Sequence, residues 1–279
     1  MMTTTNTTTP TLETITVDGI RIRLRRGGGT EGTPLFLTAP YPQSVRAFDR
    51  VWDALAPLGP LVAVDLPGFG LSDQSAPLMS PQAMGDFLPL LLDALGLDRV
   101  HAIVPDVGTL AALFAVARHP DRFESIVGGS GGVSLPLLGE PLRQIVESSH
   151  ADFAGVDGGE QVVGLIRSAA RVPIEEEVLE DYRQASAGSR WNDAAAFVRA
   201  YTSDLPRLGA ILGGIETPVL VISGKEDPFV PTSNGDFLAE RLPHSVHEVV
   251  DSGHFVWEDA APRYAELILG WVASGYRQA

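Results

Sequence analysis

The chain has no cysteine among its 279 residues. A Cys nucleophile, disulfide stapling and thiolate metal ligation are therefore excluded together. Basic residues are scarce: 20 Lys and Arg stand against 35 Asp and Glu, a net charge of −15. Such an acidic surface repels nucleic acid and anionic membranes, which removes both from the expected partners, and it mildly disfavours a highly anionic substrate. Long apolar runs are missing too. The stretch from Phe87 to Leu97 is interrupted by a charge and falls short of the roughly 20 residues a membrane helix needs. No cluster has metal-ligand spacing, and no Gly-rich phosphate loop precedes a helix in the required form. No cofactor is expected. A small-molecule substrate is the remaining partner class, with a homodimer left open.

What is present is ordinary globular composition, 44% hydrophobic and 20% charged, in a chain long enough to bury a substantial core. The Thr-rich start, Met1 to Thr11, lacks a basic region followed by an apolar run, so it reads as a disordered tail (residues 1–12) rather than a signal peptide. A cytoplasmic location is expected by default.

Two alternating strands flank an Asp18-Gly19 turn, and a flexible Gly27-Gly28-Gly29 loop follows. Pro34-Leu35-Phe36-Leu37, Pro60 to Asp65 and Pro218 to Ser223 are short runs of the buried-strand type, Arg99 to Val104 is strand-like, and Glu124 to Gly128 reads as a further strand. Helical stretches alternate with them: Val45 to Leu58 with Ser44 as N-cap, Pro81 to Leu95 with Gly96 just past its end, and Leu110 to Arg118. This alternation predicts an α/β fold with a mostly parallel sheet and helices on both faces. Between residues 135 and 206 the pattern turns helical, acidic and strandless. The simplest division is a core of 13–134 and 207–279 with a helical cap, 135–206, inserted.

Three residues then stand beyond strand ends. Asp106, in Val104-Pro105-Asp106-Val107-Gly108, lies between a strand and a helix; Asp227 follows the strand at Val219; His254 follows the strand from Val246 to Val250. Ligands of a doubly wound sheet bind beyond the carboxyl ends of its strands, so the three loops are expected to converge. The order nucleophile, acid, histidine, with the first residue at a strand–turn–helix elbow, resembles the α/β-hydrolases from about residue 14 to 275. Asp65-Leu66-Pro67-Gly68-Phe69-Gly70-Leu71-Ser72 and Gly253-His254-Phe255 carry the same likeness. Aspartate at the elbow makes the chain similar to the epoxide hydrolase and haloalkane dehalogenase branch.

That resemblance implies covalent catalysis. Asp106 attacks a saturated electrophilic carbon, His254 activates water against the resulting ester, and Asp227 orients the imidazole. Backbone N–H groups of Tyr41 and Val107 are the expected oxyanion donors. Tyr182, Trp191 and Tyr201 are the expected cap residues facing substrate, a tyrosine protonating the opened epoxide. Val107 stands where dehalogenases carry a halide-binding tryptophan, which moves the reading towards epoxide opening on a bulky apolar or specialised-metabolite substrate. A literal Gly-x-Ser-x-Gly at Gly128 to Gly132 offers Ser130, but no good helix start follows it. Two departures remain. Pro40 lies in the oxyanion loop and has no N–H, and Val104 replaces a small residue two before the nucleophile. They favour the alternative of a non-hydrolytic isomerase, lyase or cyclase using Asp106 and His254 as acid and base, or of a binding scaffold.

Overall fold

A computed structural model describes residues 7–277. Eight strands form one sheet in the order β1-β2-β4-β3-β5-β6-β7-β8. They are β1 (Thr7–Val17), β2 (Ile20–Gly29), β3 (Leu35–Thr38), β4 (Pro60–Val64), β5 (Val100–Ile103), β6 (Phe123–Gly128), β7 (Val219–Gly224) and β8 (Ser245–Val250). β1 and β2 are joined by a turn in which Asp18 and Gly19 both have positive φ, as a tight hairpin requires. β2 runs antiparallel to β4, and every pairing from β3 through β8 is parallel.

The strands that read as unbroken apolar runs are buried on both faces, and alternate residues enter two cores. Phe36, Val62 and Val64 pack with α2 (Pro81–Leu95) and α3 (Val107–Arg118) on one side. Leu35, Leu37, Leu61 and Ala63 pack on the other with α1 (Trp52–Leu55), α10 (Val256–Asp259) and α11 (Ala261–Ala273). Between β6 and β7 lie α4 (Glu140–Glu147), α5 (Gly158–Ala169), α6 (Glu176–Ser186), α7 (Arg190–Arg199) and α8 (Tyr201–Ile211), with no strand. α9 (Ser233–Ala239) follows β7. α8 reaches into the sheet layer: its Leu205 and Leu208 join the core built by α2 and α3. Among the described residues no helix is long and apolar enough to cross a membrane.

Three local expectations are corrected. The segment expected to be tail belongs to the sheet from Thr7 onward, pairing Thr7 with Gly29 and Thr8 with Gly28; residues 1–6 of that tail lie outside the described residues. β-branched threonines suit an edge strand once a partner exists. That partner is the Gly27–Gly29 segment, which is the end of β2 and not a flexible loop. Gly28 has φ +82°, and a Cβ there would stand 2.7 Å from the Gly59 carbonyl oxygen, so only glycine lets the strands approach. The helix expected over Val45–Leu58 is broken into a 3-10 turn, one short α-helix and a second 3-10 turn containing Pro57, although Ser44 does cap its start by accepting from the Arg46 amide. The first amide, Val45 N–H, is directed at the Asp65 carboxylate 2.8 Å away.

Candidate active site

β5 ends at Ile103 and the chain turns sharply before α3. The Asp106 amide donates to the Gly129 carbonyl, and Asp106 itself sits at φ 56°, ψ −125°, a conformation aspartate rarely adopts. Two glycines permit it. A Cβ on Gly108 would lie 2.0 Å from Thr38 Oγ1, and one on Gly131 would lie 2.6 Å from the Asp106 carbonyl oxygen. Gly108 also answers the expectation that Val104 would hold helix and strand apart, since the absent side chain faces the Val104 Cβ. Although Asp106 precedes α3 directly, its carboxylate makes no capping bond to that helix and points into the interior instead.

The neighbouring loop meets it there. Tyr41 N–H donates to Asp106 Oδ2 at 2.7 Å, and the Val107 amide also stabilises the carboxylate. Pro40 therefore does not occupy the donor position; its carbonyl accepts from Gln43 N–H and braces the turn. Across the site His254 Nδ1 lies 2.7 Å from Asp227 Oδ2, while Asp227 Oδ1 accepts the Phe229 and Val230 amides at 2.8 and 2.9 Å. Those two bonds fix the carboxylate, which in turn fixes the ring. His254 Nε2 stands 4.0 Å from Asp106 Oδ1. This is an approach without a hydrogen bond. All three side chains are buried.

Burial pushes the Asp106 carboxyl up to about 6, against the charge of His254 and the two backbone donors, which pull it down. Burial opposes the charged imidazole of His254 as well, but Asp227 and then Asp106 outweigh it and hold that group above its ordinary value. At neutral pH Asp106 is thus ionised while still poorly solvated, as a nucleophile requires.

A cavity of about 60 Å³ lies between Asp106 and His254 on one side and helices α4, α5, α7 and α8 on the other. Its walls include Tyr41, Trp191 and Tyr201, with Leu142 and Ile145 from α4 and Leu165 from α5. Phe229 and Phe255 complete it, each ring 5.0–5.2 Å from the His254 ring by centroids. The apolar wall residues were not singled out from sequence. Their signal is the apolar stripe of α4, which any packed cap helix shares. Tyr201 is buried, and burial beside Asp106 keeps it protonated well above its ordinary range. Tyr41 instead donates its hydroxyl to the Trp191 carbonyl at 2.8 Å.

Tyr182 does not line the cavity. Its hydroxyl donates to Glu258 at 2.8 Å within the second core, so it is removed from the substrate-facing set. Ser130 has φ 51° and a buried, unpartnered hydroxyl, and only a 3-10 turn at Leu135–Leu137 follows it, so no elbow forms there. The Asp65–Ser72 stretch is structural. Asp65 accepts the Val45 and Leu71 amides, and Gly70 leaves room for that carboxylate, which a Cβ would meet at 2.0 Å.

Residues 41–261 match the family model for the alpha/beta hydrolase fold. The chain belongs to that family. Among curated relatives of this α/β-hydrolase, the 2-hydroxy-6-oxononadienedioate/2-hydroxy-6-oxononatrienedioate hydrolase of Burkholderia vietnamiensis is 27% identical, covering 90% of this chain and 91% of that protein. A haloalkane dehalogenase of Psychrobacter cryohalolentis is 25% identical over 91% and 88%. Among solved structures, the haloalkane dehalogenase DbeA from Bradyrhizobium elkani superposes with a TM-score of 0.80 at 21% identity, covering 96% of this chain and 99% of that one. Cfl2 from Burkholderia cenocepacia gives 0.78 at 23%, over 94% and 95%. At that identity the structural likeness concerns the fold. The coarse activity that follows from the family and its relatives is hydrolysis.

Proposed function

We propose that this α/β-hydrolase opens epoxides through a covalent ester on Asp106. The arrangement of the two Asp106 oxygens carries the reading: Oδ2 is held by the Tyr41 amide, and Oδ1 stands 4.0 Å from His254 Nε2 without a hydrogen bond to it. A serine nucleophile would need a hydrogen bond to its histidine before attack, whereas an ionised carboxylate needs none. The open distance leaves His254 for water.

In the first step Oδ1 attacks a ring carbon, the C–O bond of the epoxide breaks, and Tyr201 gives its proton to the departing alkoxide. In the second, His254 Nε2 takes a proton from water and hydroxide adds to the Asp106 Cγ. The negative charge gathers on Oδ2, where the Tyr41 and Val107 amides receive it. Collapse breaks the Cγ–Oδ1 bond and the departing alkoxide takes the proton of the added hydroxyl, so Oδ1 leaves in the diol and water's oxygen stays in the restored carboxylate. The proton on His254 returns to the Tyr201 phenolate.

Among the described residues no Arg or Lys lines the cavity, so His254 alone could offer positive charge to the two carboxylates that the name of the Burkholderia relative prints. Val107 likewise offers no indole N–H beside the nucleophile. The two features that favoured an isomerase, lyase or scaffold lose their force, because Tyr41 supplies the donor that Pro40 lacks and Gly108 makes the room that Val104 takes. The cavity, of about 60 Å³, is small beside a polycyclic epoxide. A bulky substrate therefore requires the cap to open.

Intact mass of His254→Ala after incubation with aromatic and polycyclic epoxides tests the reading. An added mass of one substrate on the peptide carrying Asp106 is expected; no adduct from an epoxide that the wild type converts would overturn it. Tyr201→Phe is expected to slow ester formation by about 10²-fold while leaving ester hydrolysis unchanged, as single-turnover kinetics would resolve.

A further inference from the structure

Beneath the cavity lies a buried polar cluster that the reaction above does not use. Glu258, on α10 four residues after His254, accepts from Gln43 Nε2 with Oε2 and from the Tyr182 hydroxyl with Oε1. Gln43 Oε1 in turn accepts from Trp257 Nε1 at 2.9 Å. All four side chains are buried, Gln43 and Tyr182 completely. They come from three separate parts of the chain: the loop that presents the Tyr41 amide, cap helix α6, and the helix that follows the catalytic histidine. Burying a carboxyl costs stability unless its partners compensate. Here burial drives Glu258 up to about 7 despite the hydrogen bonds from Tyr182 and Gln43 and the charge of Arg50, with Asp259 adding to the rise. An apolar contact would hold the three segments together at less cost. It would not set their register, since a hydrogen-bonded junction fixes direction as well as proximity.

We propose that Glu258 is a positioning residue with two arms. Through Gln43 it sets the oxyanion loop so that the Tyr41 N–H meets Asp106 Oδ2, and through Tyr182 it seats α6, which packs behind the cavity wall against α5 and α7. The first arm is short, for Gln43 lies two residues from Tyr41 and its own amide closes the turn on Pro40. The second runs from Tyr182 along α6 to α7, where the Trp191 carbonyl takes the Tyr41 hydroxyl, so the two arms meet again at the cavity wall. Glu258 touches neither substrate nor reacting atoms.

The two arms have separable kinetic signatures. Losing the cap arm affects how substrate is held, and losing the loop arm affects the oxyanion of ester hydrolysis. Tyr182→Phe is expected to raise KM several-fold with kcat unchanged. Gln43→Met is expected to lower kcat about tenfold and to make the Asp106 ester accumulate during turnover, because the second step loses part of its oxyanion hole. Glu258→Gln keeps the shape and an acceptor oxygen, so its defects should be smaller than those of Glu258→Leu, which should show both.

The measurements are steady-state kinetics and intact mass on the full chain, well below each variant's melting temperature. A fall in melting temperature with wild-type kcat and KM in Tyr182→Phe and Glu258→Gln would overturn the proposal, even if Gln43→Met and Glu258→Leu fail to fold. The loop arm rests on the covalent reading. An enzyme that never forms an ester on Asp106 defeats that reading, while the KM and kcat comparisons still judge the clasp on whatever substrate is turned over. An ester that forms in the wild type without accumulating further in Gln43→Met defeats the loop arm alone.

Discussion

Asp106→Asn is expected to lose at least about 10⁴-fold in turnover and, at pH 8, to melt several degrees above the wild type. The two effects have one cause. The folded protein holds the Asp106 carboxyl at about 6, whereas an unfolded chain releases that proton near 4. Below about pH 4 both states keep the proton and the folded state carries no penalty. As pH rises through 6 the unfolded chain gains from an ionisation that the buried site resists, and stability falls. By pH 8 the cost is on the order of 3 kcal/mol, less whatever the asparagine amide loses where it meets a backbone N–H. Asparagine cannot ionise, so its advantage should be full at pH 8, shrink through pH 6 and vanish near pH 4. Melting curves at the three pH values check this. A variant no more stable than the wild type at pH 8 would mean that the site tolerates the charge without strain, and the case for an activated carboxylate would weaken with it.

The places where sequence and structure agree are those where residue chemistry alone sets the answer. Strands buried on both faces are mostly apolar, so β3, β4 and β7 were visible as short unbroken runs. Asp106, Asp227 and His254 were visible because ionisable residues just beyond such strands have few structural reasons to be there. The Tyr41 donor was harder to see, because Pro40 beside it argues against a donor until the backbone path shows which amide faces Asp106. What stayed hidden depends on partners distant in sequence. Residues 7–12 look like a polar tail until the glycines of β2 are seen to accept them as a strand. Tyr182 looks like a substrate-facing aromatic until its hydroxyl is found on Glu258, 76 residues away, in a stretch that matches no motif. The cavity walls from α4 and α5 carry the same apolar periodicity as any packed cap helix, so the difference between lining a site and filling a core is not written in them.

Asp227→Asn should stop the enzyme half-way through its cycle. The carboxylate now serves two masters: Oδ1 takes the Phe229 and Val230 amides, and Oδ2 takes the His254 Nδ1 proton. An asparagine in the same place has only one acceptor oxygen. Two buried backbone donors outcompete one ring nitrogen for it, so the amide NH₂ turns to His254 and must donate. The imidazole is then forced into the tautomer with its lone pair on Nδ1 and its proton on Nε2, the nitrogen that faces Asp106. A ring in that form cannot take a proton from water, and without the Asp227 charge it also loses the main influence that raises its basicity. Attack by Asp106 on the epoxide needs neither property. The variant should therefore consume about one equivalent of substrate, hold it as an ester, and hydrolyse that ester roughly 10³-fold or more slowly than the wild type. Intact mass separates it from Asp106→Asn: the first gains one substrate, the second gains none. Hydrolysis within tenfold of the wild type in Asp227→Asn would show that His254 finds its tautomer without Asp227, and the acid of the triad would have to be sought elsewhere.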